Sequence, residues 1–261
     1  MAISVDSVYK TVLLILNKEQ RGYLTPEEFN KIGSQVQREI FERYFDDLNQ
    51  QLRVPQPDVD YADRVVNLDE KIEPFRKEAL AITRVAGPPV YYELPNDFYR
   101  LGSVTFQPLQ PLPGIGTLRD QLSTEMQRVD RTDFYHFRKS PLITPSEKYP
   151  IYLYESNKIY VYPDSINTKT GLGTPTGQVN LQYIKKPEDV EWDYSIGTVG
   201  QFIFNEASNP GSTTKDFELN NSERVNVILN ILMYTGVVIR DPQIVQAAVG
   251  QIQQEVVNSK Q

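Results

Sequence analysis

The chain has no cysteine and a single histidine, His136, among its 261 residues. Those two shortages exclude disulfides, thiolate catalysis and zinc sites built from the usual Cys and His ligands. Any hydrolytic triad would have to pass through His136. Its neighbours Asp133, Tyr135 and Arg138 form a polar aromatic stretch without a nucleophile elbow, so it reads as a surface or turn residue. Long apolar runs are also missing: the nearest, Val225 to Ile239, is broken by Asn226 and Asn230 and falls short of a membrane span. The opening MAISVDSVYK has neither the basic start nor the apolar core of a secretory leader. There is no excess of positive charge. With 27 Lys and Arg against 34 Asp and Glu, the net charge of −7 argues against a dedicated nucleic-acid binder and suits a surface past which DNA slides without sticking. Gly114-Ile115-Gly116 and Gly171-Leu172-Gly173 do not extend into a phosphate-cradling fingerprint. Carboxylate pairs such as Glu27-Glu28 and Asp46-Asp47 are sequential on a helix, cannot face one substrate together, and fit solvated faces.

What the chain does have is 39% hydrophobic content, enough for a sizeable core, and 18 prolines and 16 tyrosines against one tryptophan. That balance predicts many short extended segments rather than a helical bundle throughout. The first helical pattern covers Ser4 to Leu16, with Val5, Val8, Val12, Leu13 and Leu16 on its apolar side. After a reversal at Gly22, Thr25, Pro26 and Glu28 form a capping box with proline at the first helical position. The helix they open extends to Leu52, a length of about 40 Å at 1.5 Å per residue. Phe29, Ile32, Val36 and Ile40 share one stripe, while Phe41, Phe45, Leu48 and Leu52 lie on a stripe rotated by a quarter turn or more. Either a bent helix wraps one core, or the first half packs on its helical neighbours and the second on the β region or an adjoining subunit. The latter makes Phe41, Phe45, Leu48 and Leu52 candidate interface residues.

Asn17 to Glu28 also resembles a twelve-position calcium loop, with Asn17, Glu19, Gly22 and Glu28 at matching positions. Arg21 puts a guanidinium where a ligand oxygen belongs, and the capping box accounts for Glu28 without metal, so a calcium site is rejected and no metal or cofactor is expected.

Val54 to Asp60 is a proline-punctuated linker and Tyr61 to Ile72 a shorter helical pattern. Strands follow at Ala79–Val85, Val90–Leu94 and Gly102–Phe106, and Gln107 to Leu118 is a Pro- and Gly-rich loop. Ile151 to Pro163 is the clearest hairpin. Alternation within each arm predicts Ile151, Leu153, Ile159 and Val161 on one face and Tyr152, Tyr154, Tyr160 and Tyr162 on the other, a face covered by another layer or a partner, or else a stacking platform. Gln178 to Ile184 is a further strand, and Trp192 to Phe204 extends the sheet. Lys185-Lys186 and Arg138-Lys139 are local basic spots that read as solvated surface, with DNA or a partner's acidic surface as the other reading. A helix through Ile239 carries apolar residues nearly all round, and Asp241-Pro242 opens a last helix with a glutamine-rich face that includes Gln243, Gln246 and Gln253, a second candidate interface. The expected fold class is α+β: N- and C-terminal helices (1–75 and 219–261) packed as one layer, and a central antiparallel β-rich part (76–218) with long Pro/Gly loops.

GYLTPEEFN with the Gln-rich helix after it, LPNDFYRL (94–101), KYPIYLYESNKIYVYP (148–163), YIKKPEDVEW (183–192) and IRDPQIVQ (239–246) together span most of the chain. In these texture motifs the chain resembles the head-to-tail connector proteins of tailed bacteriophages, above all the neck ring proteins of crAss-like phages. The resemblance implies a non-enzymatic virion protein, assembled in the host cytoplasm, that closes into a ring of about twelve copies by heterologous contacts. It also implies stacking on the portal or on adjacent ring or tail proteins, around a channel for genomic DNA that is not bound sequence-specifically, with no membrane partner. The other reading of the residues is a tail or adhesion module binding glycan through Tyr152, Tyr154, Tyr160 and Tyr162.

Overall fold

The computed structural model describes residues 2–18, 24–51, 64–80, 82, 84–85, 89–108, 124–167, 177–239, 246 and 248–254. The chain is α+β and divides into two compact units, Met1–Pro74 with Pro187–Gln261, and Phe75–Lys186. The first opens with α1 (Val5–Lys18), α2 (Pro26–Gln51) and α3 (Arg64–Ile72). The second holds β1 (Arg76–Ala79), β2 (Arg84–Val85), β3 (Tyr91–Glu93), β4 (Phe98–Pro108), β5 (Thr124–Glu125), β6 (Gln127–Arg128), α4 (Arg131–Lys139), β7 (Ile151–Glu155), β8 (Lys158–Tyr162), α5 (Asp164–Asn167) and β9 (Gly177–Lys185). The chain then returns to the first unit with β10 (Tyr194–Ile196), β11 (Phe202–Phe204) and α6 (Arg224–Ile239).

The helical unit is built as its caps and stripes dictate. Glu28 Oε2 accepts hydrogen bonds from the Thr25 backbone N (3.0 Å) and hydroxyl (2.7 Å), and the Glu28 amide donates to Thr25 Oγ1. These bonds hold the Glu28 carboxyl below its ordinary range. The start of α1 is capped from far along the chain: Asp216 Oδ1 accepts from the Val5 amide at 2.8 Å, and Ile3 and Phe217 exchange backbone bonds. Helix α2 packs on both α3 and α6, and α1 on α6. Phe29, Val36, Ile40, Phe41, Phe217, Val227 and Ile231 are all buried. Each fully buried side chain of this size contributes roughly 1.5–3 kcal/mol from area alone. Helix α6 is less enclosed than its composition predicts, because Val225 is 59% exposed.

A run of side chains on α2 binds extended backbone. Asn30 accepts from the Trp192 amide (2.8 Å) and donates to its carbonyl, Ser34 does the same for Val190, and Gln37 donates to the Glu188 carbonyl (2.6 Å) while accepting from the Glu218 amide (2.9 Å). Four helical residues rise about 6 Å and two extended residues span about 6.6 Å, so helix and chain run roughly in step. Gly33 completes the seat: a Cβ there would stand 3.4 Å from the Phe217 ring. Residues 187–218 therefore belong to the helical unit and not to the central β part. They form no extension of the main sheets, since β10 and β11 pair only with each other, in a ribbon.

In the β unit, one sheet has the order β1-β9-β4-β5 and the other β2-β3-β8-β7-β6. Strands consecutive in sequence occupy the edges: β1 of the first sheet is followed by β2 of the second, and β5 by β6, with Met126 between them donating to the Val104 carbonyl at 2.8 Å. The sheets enclose one core of Val104, Phe106, Val179, Leu181, Ile159, Val161, Tyr92, Tyr152 and Met126, so the unit is a flattened barrel with few open edges. The long β4–β9 pairing is interrupted between Leu101 and Val104, and a Cβ at Gly102 would lie 2.8 Å from the Gln182 carbonyl oxygen, so only glycine fits this bulge.

Candidate interaction surfaces

The two candidate interface sets from the sequence fare differently. Phe41 and Phe45 are buried within the helical unit, their rings edge-on at 5.1 Å, and Leu48 is half-buried. The rotated stripe is thus satisfied inside the unit, because α2 has two helical neighbours on adjacent sides, and no external partner is needed to cover Phe41 and Phe45. Leu52 and Gln243 lie outside the described residues. Gln246 and Gln253 are exposed on a C-terminal helical stretch.

The four tyrosines do not share a face. The β7–β8 turn is two residues, Ser156 and Asn157, both with positive φ (52° and 62°). It pairs Glu155 with Lys158, which sets Tyr152 opposite Val161, Tyr154 opposite Ile159, Leu153 opposite Tyr160 and Ile151 opposite Tyr162. Tyr152 and Tyr154 therefore join Ile159 and Val161 on the inner face, whereas Tyr160 and Tyr162 lie outside with Ile151 and Leu153. Alternation holds within each arm, but a two-residue turn pairs even positions with odd ones, and this exchanges the faces between arms. Helix α4 covers part of the outer face: Phe134 packs on Tyr162 with ring centroids 4.3 Å apart, beside Val129 and Ile151. Phe134 and Phe137 at i, i+3 are the sequence signal of this short helix, which places His136 on an exposed helical surface. At the other end of the face, Tyr91 and Tyr160 approach at 6.2 Å, and Lys158 Nζ stands 4.2 Å from the Tyr91 ring centroid.

Of the calcium-like loop, Glu19 and Gly22 lie outside the described residues, Asn17 is exposed, and Glu28 spends its carboxylate on Thr25. Among the described residues no group of three acidic or histidine side chains is placed to hold a metal ion, and no helix is long and apolar enough to cross a membrane.

Two polar sites stand out, one in each unit. In the helical unit, a buried Glu223 carboxylate pairs with Lys71 Nζ at 2.6 Å and accepts from Asn226 at 2.7 Å, and the Lys71 ammonium lies 5.8 Å from the Tyr44 ring centroid. Burial, reinforced by Glu223, pushes the Tyr44 hydroxyl upward. In the β unit, burial pushes the Asp97 carboxyl up, but the hydrogen bonds donated by Lys77 (2.8 Å) and the Tyr183 hydroxyl (2.8 Å) outweigh it and hold Asp97 below its ordinary range. Tyr183 is correspondingly pushed up to about 12 by burial and by Asp97. Both sites fasten elements within their unit.

Among the described residues, exposed apolar side chains are scattered over both units (Leu14, Val66, Leu80, Tyr135, Val225), and two local groups of them stand together in sequence. The β10–β11 ribbon starts from buried Trp192, which stacks on half-buried Phe204 at 5.5 Å, and Tyr194 stands edge-on to Phe202 at 4.9 Å. It ends in Ile196 (69% exposed) and Val199 (88% exposed). In the β unit, the loop after α4 presents Leu142 (94% exposed), with Ile143 and Tyr149 exposed near it. No protein-family model matches the chain, and no curated protein matches it.

Proposed function

We propose that this chain is a structural virion protein of a phage head-to-tail connector. In this reading it closes into a homo-oligomeric ring that stacks on the portal or a neighbouring ring and lines the genome channel. The observation that carries the reading is that each unit has its own group of exposed apolar side chains, Ile196 and Val199 on one and Leu142 and Ile143 on the other. Two different sticky surfaces on one chain are what a heterologous, ring-closing contact requires, whereas an isologous dimer needs only one. The motif resemblance across most of the chain supplies the setting, and the polar sites serve architecture rather than chemistry. The glycan-binding alternative loses its platform, because its four tyrosines divide between an inner and an outer face.

Mass photometry of the purified chain across a concentration series tests this reading. A large particle that grows in with concentration, without added metal, is expected. A single monomeric species at the highest concentration, alone and with its portal partner, overturns it.

A further inference from the structure

Charge is divided unequally between the two units. Phe75–Lys186 carries 14 Lys and Arg against 10 Asp and Glu, a net of +4; the helical unit carries 13 against 24, a net of −11. The chain-wide value of −7 therefore averages a mildly basic unit with a strongly acidic one. On the outer face of the β1-β9-β4-β5 sheet, Arg76 and Arg100 are both in register with Ile184, flanking it on either side. At about 4.8 Å between strands the two Arg Cα atoms stand roughly 10 Å apart. Lys186 continues the line two residues beyond Ile184, and all three cations are exposed. The row borders a depression of about 490 Å³ lined by Arg76, Lys77, Gly102, Gln182 and Ile184.

In the helical unit, Glu39, Glu42 and Asp46 follow one another at i, i+3 and i+7 along one stripe of α2, and Glu42 and Asp46 are exposed. Asp189 and Glu191, on the extended segment held against α2, line the same groove as Glu39 and Glu42. Lys215 pairs with Glu188 at 2.9 Å, and that bond, with Glu191 and Asp189 nearby, holds its ammonium above the ordinary range.

We propose that copies of this chain associate through a heterologous ionic contact in which the Arg76, Arg100 and Lys186 row of one copy docks on the Glu39, Glu42 and Asp46 stripe of the next. The proposal rests on the ring reading and adds an ionic part to the contact for which the exposed apolar groups argue. A second copy is favoured over a nucleic acid because the row is not purely cationic. Glu78 shares the outer face with Arg76 and would repel phosphate, whereas the α2 groove carries Lys31 beside its carboxylates, with Arg38 paired to Asp189, and Lys31 can answer it. At physiological salt the screening length is about 8 Å, so these local patterns decide the contact rather than the overall repulsion of two −7 chains.

The test uses full-length chain, mass photometry and two exposed-residue variants, R76E/R100E/K186E and E42K/D46K; Glu39 is left in place because it accepts from Tyr234. Circular dichroism melts confirm that both variants fold, and a salt titration of the wild type needs no variant. Raising NaCl from 50 to 500 mM should move the assembly midpoint by at least about tenfold in concentration. Each variant should be monomeric alone, and an equimolar mixture of the two should reassemble. Rings indifferent to salt and to both variants, or a mixture that stays monomeric, overturn the contact while leaving the ring. Wild type that binds a short DNA duplex, loses it in the triple variant and keeps its rings throughout assigns the row to nucleic acid instead. Wild type that never assembles overturns the ring reading and this contact with it.

Discussion

In the helical unit, long-range order is carried by side chains: Asn30, Ser34 and Gln37 reach from a helix to the backbone of residues 188–192 and 218. In the β unit it is carried by backbone: β4, β9, β1 and β5 find each other through ladders with a glycine bulge in the β4–β9 pairing, and a two-residue turn sets the β7–β8 register in the other sheet. The difference determines what a substitution does. Changing a surface-looking polar residue on α2 strips partners from main chain elsewhere, whereas changing an outward residue of the barrel leaves its ladder intact.

The largest effects test the equivalence of the two cores. Phe41→Ala in the helical unit and Phe106→Ala in the barrel should each cost about 3–5 kcal/mol in denaturant unfolding, because both rings are almost wholly buried. If Phe41→Ala were neutral in the monomer, the ring would belong to an interface after all. Next, Gln37→Leu should cost about 1–3 kcal/mol by removing its bonds to the Glu188 carbonyl and the Glu218 amide, an unusual penalty for a glutamine on an amphipathic helix. Hydrogen exchange should place the loss in residues 187–219; protection unchanged there would break the contrast between the units. A smaller effect is expected from Thr25→Ala, about 1 kcal/mol, read as a shift in the denaturation midpoint.

The smallest effect concerns pH. Asp97 has a folded value below its unfolded one, so its contribution is present above the ordinary carboxylate range and is lost as pH falls through the folded value. Wild type should therefore lose stability on acidification more steeply than Asp97→Asn. Parallel acid profiles for the two proteins would show that Lys77 and Tyr183 do not act through this carboxylate.

These contrasts also explain what was legible in the sequence. The capping box at Thr25 and Glu28, the stripes of α1 and α2 and the alternation inside β7 and β8 are local, and each is visible in a window of a few residues. The assignment of residues 187–218 was not legible, because nothing in that segment announces that Asn30, Ser34 and Gln37, at ordinary polar positions of a distant helix, will bind its backbone. The tyrosine face failed at the turn: one residue more or less between β7 and β8 would have placed all four tyrosines together, and only the positive φ pair at Ser156 and Asn157 fixes the count. Helix α4 was hidden by its brevity and polar composition, with only Phe134 and Phe137 to mark its buried side. The charge division needed the unit boundary at residues 75 and 186, which the three-part reading of the chain did not contain.

The most direct test of the central claim is an electron micrograph of the purified particle at low salt. A closed ring with a central channel is the result the account predicts. A field of separate monomers, or a two-fold dimer without a channel, would contradict it.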